Sequence, residues 1–271
     1  MLQYSFMIRT LLVSLMISII IPLIGIVIVN RGTSMMGDAL SHVSLAGVAL
    51  GLILSINPLI GAIFACVIGA FSIEKIRKKF PQFGDMATAI ITSMGLGLAA
   101  LLSDFSPGGS SFDAYLFGSI ASVSKADVII VLITFILVVA ISLIYYFGLL
   151  SIAVDPQLAK MSGVNVARIN SIFTLLSALT IALSAKIIGA LMVTSLIVLP
   201  VASSLLISKS YKATFLNTLV LGLIYTLSGV ILSYYFDLKP GGAIVVIASL
   251  GMLVCLLISK LKNKKLVKSA R

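Results

Sequence analysis

Residues 39–73 read ALSHVSLAGVALGLILSINPLIGAIFACVIGAFSI and contain no Asp, Glu, Lys or Arg. A membrane-crossing helix needs about 20 mostly apolar residues, so this run is too long for a single pass. Near its centre stands Ser55-Ile56-Asn57-Pro58, which is a turn signal. The run therefore predicts two membrane helices joined by a short turn.

The rest of the chain repeats this pattern of long apolar runs between charged segments. The other runs free of acidic and basic residues are 10–30, 86–103, 128–154, 169–185, 187–208, 213–236 and 241–259. The predicted fold class is all-α: a polytopic membrane protein with one transmembrane domain over residues 1–271. Nine helices are expected, or eight if the first run or the two runs flanking Lys186 lie partly in the membrane interface.

The composition excludes several classes of protein. Of the 271 residues, 60% are hydrophobic and only 10% are charged, whereas a soluble domain carries about 25% charged residues. A water-soluble enzyme, a disordered chain and a nucleic-acid-binding domain are therefore excluded. The two cysteines, Cys66 and Cys255, lie in apolar runs without CxxC spacing, so neither a disulfide framework nor a cysteine-rich zinc site is expected.

Basic residues predict which segments face the cytoplasm. The tail 260–271 carries six Lys or Arg residues and no acid, and the loop 74–85 is also rich in Lys and Arg. The segments predicted to be cytoplasmic are 74–85, 155–168, 209–212 and 260–271, and those predicted to be outside are 104–127 and 237–242. With nine helices, this alternation places the N-terminus outside. It also requires Lys186 to lie near an outer turn, where its side chain either reaches toward the interface or points at the pathway.

One polar pair lies inside an apolar segment. Asp38 and His42 are four residues apart, so they share one face of the predicted second helix. A carboxylate with a neutral imidazole suits zinc, manganese or ferrous iron better than calcium or magnesium. Two ligands are too few for a structural zinc site, so waters, another carboxylate, a backbone carbonyl or a second copy of the chain must complete the shell. A structural Asp–His pair and a proton relay are the alternatives.

The segment DPQLAKMSGVNV, residues 155–166, predicts a short helix in a cytoplasmic loop. Asp155 is a favoured N-cap, Pro156 a favoured first helical residue and Gly163 a natural stop. Leu158 and Met161 share one apolar edge. Such a helix is typical of a docking element for a partner, and the alternative is an interfacial helix lying against lipid headgroups.

Two further patterns concern activity and packing. The chain has no GxxxxGK[ST] and no HExxH, so it is not expected to bind ATP by a P-loop or to act as an enzyme. Gly47 and Gly51 form a GxxxG, and Gly95 and Gly97 lie in the predicted fourth helix. Small residues of this kind permit close helix packing, or they line a pathway with exposed backbone.

Four segments in order resemble the zinc/manganese/iron permeases of bacterial ABC importers. These segments are GDALSHVSLAGVALG at 37–51, DPQLAKMSGVNV at 155–166, IGALMVTSLIVLPVA at 188–202 and SYYFDLKPGG at 233–242. The resemblance implies a type II-like permease that homodimerises in the lipid bilayer of the bacterial inner or plasma membrane, with a cytoplasmic C-terminus. It also implies two copies of a separate ATPase subunit on the cytoplasmic face and an extracytoplasmic metal-binding protein.

The same resemblance assigns residues to roles. Asp38 and His42 occupy the positions of the family's pathway metal ligands. Asp155, Pro156, Leu158, Met161 and Gly163 belong to the ATPase-contacting segment. No cofactor is held permanently, and the ion is cargo. The amino-acid sequences of residues 43–47 and 113–119 look more like those of zinc permeases than those of manganese permeases. The competing hypotheses are a stand-alone secondary transporter that uses Asp38 and His42 as a relay, and a membrane scaffold.

Overall fold

The computed structural model describes residues 5–105, 109–119 and 123–269, so the predicted outer loop 104–127 and basic tail 260–271 fall partly outside it. Across these ranges the secondary structure is helical and contains no strand, as predicted. The helices are α1 (Ser5–Asn30), α2 (Met36–Ile53), α3 (Pro58–Lys79), α4 (Gly84–Ser103), α5 (Gly109–Phe117), α6 (Lys125–Ile144), α7 (Tyr146–Val154), α8 (Pro156–Met161), α9 (Val166–Ile188), α10 (Ala190–Ile207), α11 (Tyr211–Phe236) and α12 (Pro240–Ser269).

Nine helices in the described part of the chain are long and apolar enough to cross a membrane. They are α1 to α4, α6 and α9 to α12. This number confirms the larger of the two predicted counts. The remaining helices, α5, α7 and α8, are too short to cross.

Two predicted boundaries are wrong. The run 128–154 is not one span, because α6 ends at Ile144 and α7 begins at Tyr146. The uncharged stretch is longer than the bilayer requires, and its last part forms a separate short helix. The second predicted boundary is at Lys186, but Lys186 lies inside the last turn of α9. The chain instead breaks at Gly189, whose φ of +93° is accessible to glycine and strained for other residues.

Side-chain caps fix where several helices begin. Before α3, the Asn57 side-chain oxygen accepts a hydrogen bond from the Leu59 backbone N–H at 3.0 Å. Before α6, Ser124 and Asp127 form a reciprocal capping box. Asn165 caps α9, so that helix begins at Val166 and includes the last residues of the predicted loop 155–168. These caps satisfy backbone N–H groups that lack partners within the helix.

The second helix is central in the bundle. In the membrane-crossing part of α2, 72% of the residues are buried, compared with 28% in α4, α6 and α12. It packs against α3, α4, α9 and α10. Gly47 of α2 faces Gly61 of α3 so closely that a Cβ on either would collide with the other's carbonyl oxygen. This confirms close packing for Gly47, whereas a Cβ added at Gly97 of α4 would meet no other atom within 4 Å, because that glycine faces outward.

Candidate functional site

Asp38 and His42 lie side by side in the first two turns of α2. The imidazole Nε2 is 3.7 Å from the carboxylate Oδ1, which is close but longer than a hydrogen bond. The His42 side chain is 14% exposed and that of Asp38 is 39% exposed. His42 Nδ1 is buried and has no hydrogen-bond partner among the described residues. The two side chains are therefore partly exposed, and the packing around them does not satisfy all of their polar atoms.

Although the pair starts its own helix, it lies near the middle of the neighbouring helices. The Cys66 thiol donates a hydrogen bond at 3.2 Å to the Leu40 carbonyl oxygen, and Cys66 is in the middle of α3. Gly37 packs against Thr194 and Ile197 of α10, well inside that helix. The short helix α2 thus begins at mid-height of the bundle and carries a carboxylate there. An ionisable group at such depth costs about 2.5–3.5 kcal/mol on insertion scales and usually has a function.

The separation of the two side chains fits a shared metal ion. Ligand atoms about 2.1 Å from a tetrahedral zinc ion lie about 3.4 Å from each other. The observed 3.7 Å between Nε2 and Oδ1 needs an adjustment of only a few tenths of an ångström. The spacing therefore allows both groups to bind one cation after a small side-chain adjustment.

The chain offers few other ligands at this point. Within the described residues, no group of three or more His, Cys, Asp or Glu side chains is placed to hold a metal ion. Ser41 and Ser44, which flank His42, are buried, and their hydroxyls donate to carbonyl oxygens one turn back at 2.7 and 2.6 Å. As far as the structure describes the chain, one copy therefore supplies only part of a metal's ligand shell.

Lys186 neither reaches out to the interface nor points at the pathway with an open charge. Its Nζ binds Asp127 Oδ2 at 2.6 Å, and the two side chains are 13% and 4% exposed. The same carboxylate oxygen accepts hydrogen bonds from the Ser124 backbone N–H and hydroxyl, both at 2.7 Å. The sequence pattern assigns Asp127 only to an outer loop. The sequence signal for this ion pair is that Asp127 and Lys186 are isolated, opposite charges at the ends of different apolar runs.

A tight backbone crossing connects α5 to the break between α9 and α10. Gly118 and Gly189 have φ angles of +80° and +93°, and a Cβ on either would collide with backbone of the opposite segment. Tyr115 of α5 is 8% exposed, and its ring centroid lies 6.0 Å from Lys186 Nζ. Burial, together with the nearby charge of Asp127, raises the pKa of Tyr115 to about 12. The phenol therefore stays neutral beside the ion pair.

The predicted helix in segment 155–166 is present as α8, and its start follows the sequence rules. Asp155 Oδ1 accepts hydrogen bonds from the backbone N–H groups of Gln157 and Leu158, at 2.7 and 3.2 Å. Pro156 occupies the first helical position. The carboxylate also lies at the positive end of the helix dipole. The prediction that Asp155 caps this helix is confirmed.

The end and the outer edge of α8 also match the predicted geometry. Gly163 has a φ of +85°, and the Val164 N–H donates to the Ala159 carbonyl oxygen at 3.0 Å, which is a Schellman closure. Leu158 and Met161 are 58% and 84% exposed, whereas Ala159 is buried against the bundle. A rigid short helix thus presents an apolar edge outward, and its role as a contact for a partner stays a prediction.

In the part of the chain that the structure describes, nine helices long and apolar enough to cross a membrane define a polytopic membrane protein, which carries an Asp–His pair in one span and an exposed capped helix outside the spans. The chain belongs to the ABC 3 transport family, whose family model matches residues 3–259. This match confirms the resemblance to the permeases of ABC importers.

Several curated proteins are similar to this chain over most of their length. It is 35% identical to a "probable metal transport system membrane protein" of Treponema pallidum, covering 89% of this chain and 91% of the relative. It is 30% identical to the high-affinity zinc uptake system membrane protein ZnuB of Haemophilus influenzae, covering 90% and 94%. It is 29% identical to the manganese transport system membrane protein MntC of Listeria innocua, covering 92% and 89%.

A solved structure shares the fold. The chain superposes on a chain of PsaBC from Streptococcus pneumoniae, solved in complex with Fab, with a TM-score of 0.84 and 27% sequence identity, covering 96% of both chains. The match extends over the whole bundle, which supports the arrangement of helices described above.

Proposed function

We propose that this chain is the membrane-spanning permease of an ATP-driven importer for a divalent transition-metal ion, with zinc as the first candidate and manganese or iron next. The observation that carries the proposal is the Asp38–His42 pair, partly open and at mid-height of the bundle. A weak and incomplete site suits transport, because an ion that binds must also leave. The metals in the relatives' names support the same class of cargo.

The energy source is assigned to a separate subunit. The sequence contains no P-loop motif, and the family is an ABC transport family. We assign α8 as the contact for the ATPase, because its apolar edge at Leu158 and Met161 is exposed on a rigidly capped helix. This favours an ATP-driven importer over the stand-alone secondary transporter.

A second copy of the chain is proposed to complete the site. Asp38 is 39% exposed although most other outward positions in this part of the bundle are apolar. An exposed carboxylate in lipid is unfavourable, so the face that carries it needs water or protein against it. A homodimer in which two Asp38–His42 pairs approach each other would supply four ligands, which is the number that tetrahedral zinc prefers.

The proposed placement is the bacterial inner or plasma membrane, with α8 and the basic tail in the cytoplasm. Lys75, Arg77, Lys78 and Lys79 end α3, and the positive-inside rule assigns that end to the same side as α8. The opposite end would receive the ion from an extracytoplasmic metal-binding protein.

Transport by purified components tests this proposal. The permease would be reconstituted with its ATPase subunit in lipid vesicles, and the metal-binding protein would be supplied on the opposite side of the membrane from the ATPase. Uptake of radiolabelled zinc and manganese would be measured with ATP or a non-hydrolysable analogue on the ATPase side. We expect uptake only with hydrolysable ATP, and a higher rate for zinc at equal free ion concentration. Equal uptake with the analogue would contradict the ATP-driven mechanism, and a preference for manganese would contradict the zinc assignment.

A further inference from the structure

A polar cavity lies at the end of the bundle that carries α8, and neither Asp38 nor His42 lines it. Its volume is about 480 Å³, and it opens between the ends of α1 and α3, the α7–α8 junction and the beginning of α9. Its polar lining consists of Asn30, Arg31, Glu74, Arg77, Lys78 and Asn170. The proposed transport path uses none of these residues.

The charges around this cavity do not cancel. Lys78 Nζ lies 2.9 Å from Glu74 Oε1, so these two residues neutralise each other. Arg31 and Arg77 remain as additional positive charges on the lining. Burial lowers the pKa of Arg31; Glu74 opposes that change and Arg77 adds to it. Two guanidinium groups thus share a partly enclosed space with a carboxylate that already has a lysine partner.

An anion of the right shape would relieve this imbalance. Arginine presents a planar fork of N–H donors that matches phosphate oxygens, and the Asn30 and Asn170 amides supply further donors at the same cavity. Basic pockets between membrane helices on the cytoplasmic side are suited to the phosphate of lipid headgroups. The lining carries three cations, Arg31, Arg77 and Lys78, against the single carboxylate of Glu74, so its net charge favours an anion.

We propose that this cavity binds a phosphate oxyanion between Arg31 and Arg77, carried either by an anionic phospholipid headgroup or by free phosphate. Pro156, the first residue of α8, also lines the cavity, so the bound anion would lie beside the helix assigned to the ATPase, between the ends of α1 and α3. This inference does not depend on which metal is carried or on the role of Asp38 and His42.

Thermal unfolding of the full-length chain in a neutral detergent tests the proposal. One arm titrates sodium phosphate against sodium chloride of equal ionic strength, and the other titrates short-chain phosphatidylglycerol as monomers. We expect either probe to raise the Tm of the wild type. In Arg31→Gln/Arg77→Gln, the concentration for half of the maximal shift should rise about a hundredfold, since each charge-assisted contact is worth about tenfold.

Matched variants separate this site from general charge effects. Lys125→Gln/Lys239→Gln removes two exposed positive charges that lie at the start of α6 and just before α12, away from the cavity lining, and it should respond as the wild type does. If the double arginine variant does not fold, Lys78→Gln takes its place. Lys78 is 61% exposed, so its loss should leave the fold intact while weakening the response about threefold by removing one nearby cation.

Each outcome decides the proposal. A response to phosphatidylglycerol alone supports the lipid source, a response to phosphate alone supports the free ion, and a response to both supports the shared chemistry. A Tm that follows ionic strength only, or an equal response in Arg31→Gln/Arg77→Gln, overturns it.

Discussion

At the scale of single residues, Lys186 and Asp127 carry two buried charges. Each charge would be unfavourable alone, and the two compensate each other as an ion pair. Each side chain is almost fully buried, at the end of a different helix, and the two meet at 2.6 Å. Asp127 also belongs to the capping box of α6, so the ion pair connects the start of α6 with the last turn of α9. Breaking such a pair leaves a buried charge without compensation.

We therefore expect Lys186→Met to destabilise the protein by about 3–5 kcal/mol, because Asp127 remains charged and buried. Lys186→Met/Asp127→Asn should recover most of this loss, since the amide keeps an oxygen for the Ser124 N–H. The measurement is the Tm in detergent, with Lys125→Met as the control because Lys125 is exposed. Equal Tm values for Lys186→Met and Lys125→Met would show that the pair contributes nothing.

Among the helices, α2 and α8 depart from ordinary membrane helices in opposite ways. Helix α2 is short and starts deep in the bundle, at the level of Cys66 in α3, which carries Asp38 and His42 to mid-height. Helix α8 is also short, but it lies outside the spans and is fixed at both ends, by Asp155 and by Gly163. In both cases a helix end sets the position of the functional side chains.

The apolar edge of α8 gives a prediction about assembly. Leu158→Asp/Met161→Asp should abolish co-purification with the ATPase subunit, because the exposed apolar surface that we assign to the contact becomes charged. Lys160→Asp places a carboxylate on the other side of the same helix from Leu158, and it should retain much more of the complex. The measurement is the ratio of the two subunits after affinity purification. If the first variant recovers the ATPase in the wild-type ratio, α8 is not the contact.

For the molecule as a whole, the sequence predicts the fold well because a lipid bilayer permits few backbone structures. Backbone groups in a bilayer must be satisfied internally, so long uncharged runs have to be helices. The number of spans in the described chain follows from this constraint, and the turn at Asn57-Pro58 follows from a turn signal within a run too long for one pass. The break at Gly189, three residues after Lys186, could not be predicted, because the charge that marks a boundary in the sequence is neutralised by Asp127 in another helix.

The candidate site could be predicted only as far as spacing along one helix allows. The i, i+4 separation places Asp38 and His42 on one face, and the structure gives 3.7 Å between their nearest polar atoms. Depth in the bundle could not be read from the sequence, since it depends on where α2 begins relative to α3 and α10. The cavity at Arg31 and Arg77 could not be found in the sequence for a similar reason, because its lining comes from four separate parts of the chain.

Metal uptake by Asp38→Asn and His42→Gln, in vesicles that contain the ATPase subunit and are supplied with the metal-binding protein, is the decisive measurement for the proposed ion pathway. Each change keeps the side chain polar and of similar size and removes a strong metal ligand, so uptake should fall at least about tenfold at equal membrane abundance. Asp85→Asn is the matched control, because Asp85 is also an aspartate in the first turn of a membrane helix. We expect Asp85→Asn to transport at the wild-type rate, whereas wild-type uptake by both Asp38→Asn and His42→Gln would contradict the assignment of this pair as metal ligands.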